Sequence, residues 1–427
     1  MWPFRRNAAR AVRSGDPYWL MRNGIGDAGE ALRESIDCDI AIIGAGITAA
    51  MVADSLIATG RKVVVLDARD VAQGSTAAST ALLQYEIDWH LVDLARMLGA
   101  EPALLAYRAC GASFDLLEQR FPELLRQAGY ERHPSLYLAA DERAVAPLRS
   151  ELAARRDMGF KCEWLDGDEL RRRFGCQRPG AILSALGAEV DPYRLTRAIF
   201  SACRRHGVRF YARTRVTRIE ETPARLVLHT AGGNTVSAAH VAVCAGYESL
   251  EFMPRDVADV KNTFALVTEP LVRREWVESL PMIWESARPY IYVRGTPDGR
   301  LLVGGADVPF KDAIARDALL PRQVRGVQQR YEALFGSELP PIAFAWAGSF
   351  AETRDGLPLI GRVPGMDPRL QFALCYGGNG ITFSVHAGDM IRAGIEGRDH
   401  PLDPVFGFAR QAKGDAGLLE RPRVAGE

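Results

Sequence analysis

The sequence has no long apolar run and no excess of charge of either sign. Among its 427 residues, 53 basic side chains balance 53 acidic ones, so the formal net charge is zero. This balance gives no electrostatic footprint for nucleic acid. Without a run of about eighteen apolar residues, no transmembrane helix is predicted. The length predicts two or three domains, or two large interleaved ones.

Cysteine and histidine are few and scattered. The seven cysteines contain no Cys-x-x-Cys pair, and neither they nor the seven histidines have the spacing of metal ligands. We therefore expect reduced, mostly buried thiols in a cytoplasmic protein, no metal site, and no disulfide reductase. The basic N-terminus lacks the apolar stretch of a signal peptide, and a loose arm is predicted over residues 1–36.

A strand-turn-helix-strand pattern follows this arm. Residues 39–43 predict a buried strand, a helix continues to Gly60, and a second strand over 62–66 ends at Asp67. In the turn, Gly44 permits the tight bend and Gly46 lets a pyrophosphate approach the backbone at the helix N-terminus. Asp67 is placed to accept hydrogen bonds from ribose hydroxyls and would repel the 2′-phosphate of NADP. The pattern predicts a dinucleotide site; the alternative is a unit whose glycines serve packing alone.

Two further stretches favour FAD over NAD. Residues 74–84 are rich in Gly, Ser, Thr and Ala, without a second strand-helix repeat, and such a stretch can line a long extended ligand. Near the C-terminus, the glycine-rich loop 377–380 opens a helix running to Ile395, and a helix start of this kind favours negative charge, as on the carbonyl edge of reduced flavin. The alternatives are ordinary helix caps. No second glycine fingerprint is present, so a nicotinamide domain is not expected.

These motifs, with 240–246 and 355–361, occur in an order that resembles the D-amino-acid-oxidase-like family of FAD-dependent oxidoreductases. That family includes glycine and sarcosine oxidases and γ-glutamylputrescine oxidase-like enzymes, and the resemblance covers about residues 36–400. It implies an α/β fold in which a Rossmann-like FAD-binding domain (37–98, 185–260 and 345–405) is interleaved with an antiparallel-sheet substrate domain (99–184 and 261–344). A tail is expected over 406–427.

The resemblance also implies which residues contact FAD. They fall on the glycine turn, the end of the second strand, the Gly-Ser-Thr stretch, an adenine-side strand, and the two later loops. They are Gly44, Gly46, Ile47, Thr48, Asp67, Ala68, Arg69, Gly74, Ser75, Thr76, Ser79, Thr80, Ala81, Leu82, Leu83, Val216, Ala245, Gly246, Gly378, Asn379, Gly380, Ile381 and Thr382.

The sequence departs from the family at two points. Phe350 stands where glycine-oxidase-like members carry an arginine that clamps the substrate carboxylate, so a plain α-amino acid is disfavoured unless another arginine, such as Arg294, replaces it. Residues 348–351 contain no cysteine, and the Gly-Ser-Thr stretch contains no histidine, for tethering flavin. Non-covalent FAD is therefore expected.

The substrate pocket is expected on a strand near residue 290. Tyr290, Tyr292 and Arg294 alternate and would share one face of the sheet, which faces the flavin in similar proteins. With Phe350 they are the pocket candidates; the alternative is a solvated or core-packed sheet face.

The expected reaction is FAD-dependent oxidation of a C–N bond in a small amine or amino-acid derivative. A hydride passes to flavin N5, water hydrolyses the imine, and the electrons pass to O2 or another acceptor. Two alternatives stay open: a dehydrogenase of hydroxy acids or polyols, and a non-catalytic flavin-binding subunit of a complex.

Overall fold

The computed structural model describes residues 13–26, 29–254, 256–310, 312–374 and 376–410. Strands and helices alternate in much of the first half of the chain, and strands follow one another through most of the second half. The strands are β1 (Arg13–Gly15), β2 (Ile36–Ile43), β3 (Val63–Leu66), β4 (Leu82–Gln84), β5 (Glu131–Arg132), β6 (Ser135–Leu138), β7 (Cys162–Asp166), β8 (Gly180–Ser184), β9 (Gly187–Glu189), β10 (Arg209–Tyr211), β11 (Val216–Glu221), β12 (Leu226–Thr230), β13 (Thr235–Val243), β14 (Asp259–Thr268), β15 (Met282–Glu285), β16 (Ile291–Gly295), β17 (Leu301–Pro309), β18 (Ile342–Glu352), β19 (Leu359–Arg362) and β20 (Leu370–Leu374).

The helices cover both sheets and the space between them. They are α1 (Tyr18–Asn23), α2 (Ile47–Ile57), α3 (Ser75–Ala78), α4 (Leu91–Leu98), α5 (Ala100–Arg120), α6 (Pro122–Gln127), α7 (Glu142–Asp157), α8 (Gly167–Phe174), α9 (Pro192–Arg205), α10 (Arg274–Ser279), α11 (Ala313–Phe335), α12 (Gly380–Ile395) and α13 (Asp403–Phe406), with a 3₁₀ turn at Gly246–Phe252. No described helix is long and apolar enough to span a membrane.

The first large sheet is built around parallel strands. Its order is β10-β3-β2-β13-β12-β11, and β20 also pairs with β13 and with β19. β2 runs parallel to both β3 and β13, and β13 runs parallel to β20. β2 ends in four consecutive buried residues because both faces of the sheet are covered. Its side chains divide between two apolar clusters, one on each face. The carboxyl ends of β2, β3, β13 and β20 therefore meet at one edge.

The second large sheet is mixed and has nine strands, in the order β1-β18-β14-β17-β16-β15-β6-β8-β7. Most of its pairings are antiparallel, as the alternating segments of the sequence predict. β18 belongs to this sheet over its whole length, across the boundary predicted at residue 345. A third, small sheet has the order β4-β9-β5. The predicted α/β class with an interleaved antiparallel sheet is confirmed.

The described parts of both chain ends pack against the rest of the fold. The described part of the predicted loose arm is fixed: β1 pairs with β18, and Tyr18 and Trp19 are 1% and 0% exposed. The start of the predicted tail is also fixed, because the Arg410 guanidinium donates to both carboxylate oxygens of Asp355, at 2.7 and 3.0 Å. Apolar and charged anchors that contact residues distant in sequence hold both segments. Residues 1–12, 27–28 and 411–427, which complete the predicted arm and tail, lie outside the described residues.

Candidate active site

The glycine turn after β2 is shaped by the neighbouring strand. Gly44 has φ +110°, and a Cβ atom there would lie 2.4 Å from the carbonyl oxygen of Cys244, at the end of β13. Only glycine fits this backbone conformation and this close approach. A Cβ at Gly46 would lie 3.0 Å from Thr76 Oγ1, which accepts from the Ile47 N–H at 3.1 Å, so a side chain at this position would crowd the first turn of α2.

Asp67 lies directly beyond β3 and joins two loops of this edge. Its carboxylate accepts hydrogen bonds from the backbone N–H groups of Ala45 and Arg69, both at 2.6 Å. Burial raises the pKa of Asp67, while the Arg69 charge and the two backbone donors lower it in part. Each carboxylate oxygen retains a further lone pair, which can accept from a ribose hydroxyl.

A single elongated cavity runs from this edge to the nine-stranded sheet. Its volume is about 2270 Å³ including the open space at its mouth. Every residue that the family resemblance assigned to FAD lines it, from the glycine turn and Asp67 through the Gly-Ser-Thr stretch to Val216, the turn after β13, and the start of α12. The structure thus brings the predicted cofactor residues together, although their individual contacts with FAD stay predictions.

The start of α12 closes one side of the cavity. Asn379 is its N-cap residue, and no side chain caps the helix. Instead, the Asn379 side chain donates to the carbonyl oxygens of Gln84 and Glu86, at 3.1 and 2.8 Å. The first-turn N–H groups of Gly380, Ile381 and Thr382 have no acceptor within the helix, and these residues line the cavity. The helix start can therefore receive partial negative charge.

Three of the four pocket candidates line the far end of the cavity: Tyr290, Tyr292 and Phe350. The two tyrosine rings lie 6.1 Å apart. The Tyr290 hydroxyl donates to Asp307 at 2.9 Å, and the Tyr292 hydroxyl lies 3.4 Å from Thr263 Oγ1. Burial raises the pKa of both phenols, to about 12 for Tyr292, so both remain neutral donors near pH 7.

Arg294, the fourth candidate, does not line the cavity, so its position does not support the conditional prediction that it clamps a substrate carboxylate. Its side chain is 1% exposed, and its Nη1 donates to the carbonyl oxygen of Ala81 at 2.7 Å. Nη2 lies 3.5 Å from Glu189, and the guanidinium stacks 5.5 Å from the centre of the Trp19 ring. Arg294 therefore supports the cavity wall from behind.

Several polar lining residues were missed by sequence reasoning. Gln84, Glu86 and Asp88 line the cavity at alternate positions directly after Leu82, and Trp284, Glu285 and Arg288 line it from β15 and the loop that follows. The period-two spacing of the first three was a usable signal, although the regular strand ends at Gln84. Nothing in the sequence marked Arg288.

The residues present fit FAD. A bare glycine turn, an acidic residue that bridges two loops, a row of small hydroxyl side chains and an uncapped helix start line one continuous cavity. These are the groups that a pyrophosphate, a ribose, a ribitol chain and a carbonyl edge require. The described residues contain no cluster of His, Cys, Asp or Glu able to hold a metal ion.

Fold and cavity together define a dinucleotide-binding oxidoreductase with a separate substrate wall. The family model described as DAO, FAD dependent oxidoreductase, matches residues 39–393, and the chain belongs to this family. FAD is accordingly its cofactor.

Individual relatives agree with this assignment. The chain is 26% identical over 386 residues to gamma-glutamylputrescine oxidoreductase of Escherichia coli (strain K12), covering 88% of this chain and 87% of the relative. It is 26% identical over 392 residues to glycine oxidase of Bacillus licheniformis, covering 88% and 97%. The crystal structure of glycine oxidase from Geobacillus kaustophilus superposes with a TM-score of 0.69 at 21% identity, covering 86% and 98%. The last comparison supports the fold alone.

Proposed function

We propose that this protein oxidises the C–N bond of a small amine or amino-acid derivative, with non-covalent FAD as the electron-accepting cofactor. The observation that carries the proposal is the continuity of the cavity. Its cofactor-binding edge opens directly onto a wall formed by Tyr290, Tyr292 and Phe350, so a substrate seated there lies beside the cofactor. The names of the amine- and amino-acid-oxidising relatives support the same reaction class.

In this proposal the residues of the chain bind the cofactor, orient the substrate and exclude water from it. When bound, FAD supplies a hydride acceptor for the carbon next to the substrate nitrogen, and the resulting imine is hydrolysed by water. Asp67 and the glycine turn hold the nucleotide end, and the start of α12 offers backbone donors to the ring end. The aromatic wall excludes water, which favours the neutral form of the substrate amine that releases hydride.

The test is anaerobic reduction of the purified yellow protein. Primary, secondary and N-methylated amines and amino acids are added separately, and the visible absorbance of the flavin is followed. We expect at least one amine class to bleach it, and O2 or an artificial acceptor to restore the colour.

Matched hydroxy acids and polyols serve as controls in the same assay. Bleaching by these compounds alone would support a dehydrogenase of C–O bonds instead. A protein that stays yellow with every compound would contradict catalysis and favour a flavin-binding subunit. A protein that never binds FAD would contradict the whole assignment.

A further inference from the structure

Two opposite charges line the outer part of the cavity, and neither has an ion-pair partner in the part of the chain that the structure describes. Asp88 follows β4, and Arg288 lies between β15 and β16; both are exposed and both line the cavity. The other lining arginines, Arg69 and Arg215, are paired with Glu248 and Glu251 at the nucleotide end.

The local contacts of both charged groups leave binding capacity free. Asp88 accepts one hydrogen bond, at 3.0 Å, from the backbone N–H of Gly378. Arg288 donates to the carbonyl oxygen of Ala287 at 3.1 Å, and its guanidinium lies 5.0 Å from the centre of the Tyr290 ring. A guanidinium held against a ring keeps its remaining donors directed outward, in the arrangement that binds a carboxylate.

The Arg288 charge acts on the Asp88 carboxyl, and among the described residues the two side chains form no ion pair with each other. Although Asp88 is exposed as a residue, the cavity walls desolvate its carboxylate, and this desolvation and the neighbouring Glu352 raise its pKa to about 6; the Gly378 N–H, Arg288 and Lys261 oppose the rise. Asp88 is therefore mostly ionised near pH 7. A ligand group carrying both an ammonium and a carboxylate would be complementary to this arrangement.

The inner wall has a different character. Tyr290, Tyr292 and Phe350 are half-buried, and the two phenols are neutral. The nitrogen that loses hydride must be neutral, and an ammonium bound to Asp88 would be held in its charged form. The ionic subsite is thus suited to a substrate group other than the reacting nitrogen.

We propose that Asp88 and Arg288 form a subsite for a zwitterionic group of the substrate, remote from the nitrogen that is oxidised. Asp88 receives the ammonium and Arg288 the carboxylate, while the reacting amine reaches the aromatic wall. The inference rests on the proposed amine oxidation and assigns the carboxylate contact, absent at Phe350, to a different element of the fold.

Four probes with the same terminal amine test the subsite. Lysine carries both remote charges, 6-aminohexanoate lacks the α-ammonium, 1,5-diaminopentane lacks the carboxylate, and pentylamine lacks both. The limiting rate and half-saturation concentration of anaerobic flavin reduction are measured for each, and the products show which nitrogen is oxidised. We expect lysine to have the lowest half-saturation concentration and to react at its ε-nitrogen.

Two conservative variants separate the two contacts. Arg288→Gln should raise the half-saturation concentration about 10-fold for lysine and 6-aminohexanoate, with little change in limiting rate, and leave the other two probes unaffected. Asp88→Asn should do the same for lysine and 1,5-diaminopentane, and its amide oxygen can still accept from Gly378. Arg288→Lys should restore part of the loss. Arg171→Gln and Asp168→Asn, which alter an exposed pair outside the cavity, are the controls.

Norleucine, which is lysine without its ε-amine, gives a binding readout independent of turnover. We expect it to perturb the visible spectrum of the bound flavin in the wild type and more weakly in Arg288→Gln. Three results would contradict the subsite without contradicting amine oxidation. These are oxidation at an α-nitrogen, equal half-saturation concentrations for the four probes, and norleucine binding that is unchanged in Arg288→Gln. If the four probes do not reduce the flavin while other amines do, the subsite is judged from norleucine binding: weaker binding in Arg288→Gln than in the wild type supports it, and equal binding contradicts it. If no amine reduces the flavin, the proposed function fails first.

Discussion

The sharpest test of the cofactor site is Asp67→Asn. The substitution preserves the shape of the side chain and removes its charge. In the wild type both carboxylate oxygens accept from backbone N–H groups, those of Ala45 and Arg69. The amide keeps one acceptor and turns a donor toward the other N–H. It also loses the charged acceptor that is expected to meet a ribose hydroxyl.

The magnitude follows from one charged hydrogen bond. Such a bond contributes about 1.5–3 kcal/mol, so we expect the Kd for FAD to rise roughly 10- to 100-fold. Apoprotein is titrated with FAD, and quenching of flavin fluorescence gives the Kd. Urea unfolding of the apoprotein, measured in parallel, reports the separate cost of the unsatisfied N–H, about 1–3 kcal/mol.

The matched control is Asp39→Asn. Asp39 also accepts from a backbone N–H, that of Lys62 at 2.7 Å, but it lies at the amino-terminal side of the same sheet. Its substitution should leave the Kd for FAD unchanged. Equal Kd values for wild type and Asp67→Asn would refute the assignment of Asp67 to the ribose.

Three other variants test the packing around the site. Trp19→Ala removes a fully buried ring whose Nε1 donates to the carbonyl oxygen of Ser79 at 2.7 Å. We expect the free energy of unfolding in urea to fall by about 3–5 kcal/mol and FAD to be lost faster on gel filtration. Unchanged values would mean that the N-terminal arm is not needed for stability or FAD binding. Arg410→Ala leaves the largely buried Asp355 carboxylate without its charged partner and should cost about 3–5 kcal/mol in the same assay at pH 7. Burial opposes ionisation of Asp355, but Arg410 and hydrogen bonds outweigh burial and lower the pKa of Asp355. The loss of stability in Arg410→Ala should therefore be present above the unfolded pKa of about 3.9 and shrink as the pH falls through the pKa of Asp355 in the folded protein. A loss of stability that does not depend on pH would contradict the ion pair. Gly44→Ala should purify with little FAD and lowered stability, and a full FAD content would contradict the close approach at the turn.

The cofactor half of the site could be predicted because its chemistry depends on local backbone geometry. The strand-turn-helix unit at 36–66, the glycines of its turn and Asp67 all follow from short-range pattern, and the structure brings them to one sheet edge. The uncapped start of α12 could be predicted for the same reason, since a glycine-rich loop before an apolar helix is a local signal.

The substrate half of the site could not be predicted as well, because it depends on how far along a strand each residue lies and on the positions of loops. Alternation predicted one face for Tyr290 and Arg294, but four residues of extended chain span about 13 Å, and Tyr290 lines the cavity whereas Arg294 does not. Arg288 belongs to a loop whose position is set by tertiary contacts. The Asp355 motif forms a turn through local contacts, since its carboxylate accepts from Leu357 N–H and Thr353 Oγ1. Its pairing with Arg410, 55 residues later, is not a local property.

The segment 78–86 explains how the two halves remain aligned. It carries much of the cavity lining, yet only its residues Leu82–Gln84 form a strand. Its stability comes instead from side chains that donate to its carbonyl groups from three separate parts of the fold. Trp346 and Trp19 donate at Ala78 and Ser79, Arg294 donates at Ala81, and Asn379 donates at Gln84 and Glu86. Because the arm, the nine-stranded sheet and α12 all hold this one wall, a displacement of any of them would move cofactor-lining and substrate-lining atoms together. Arg294, a pocket candidate from the sequence, therefore acts on the site through the position of that wall.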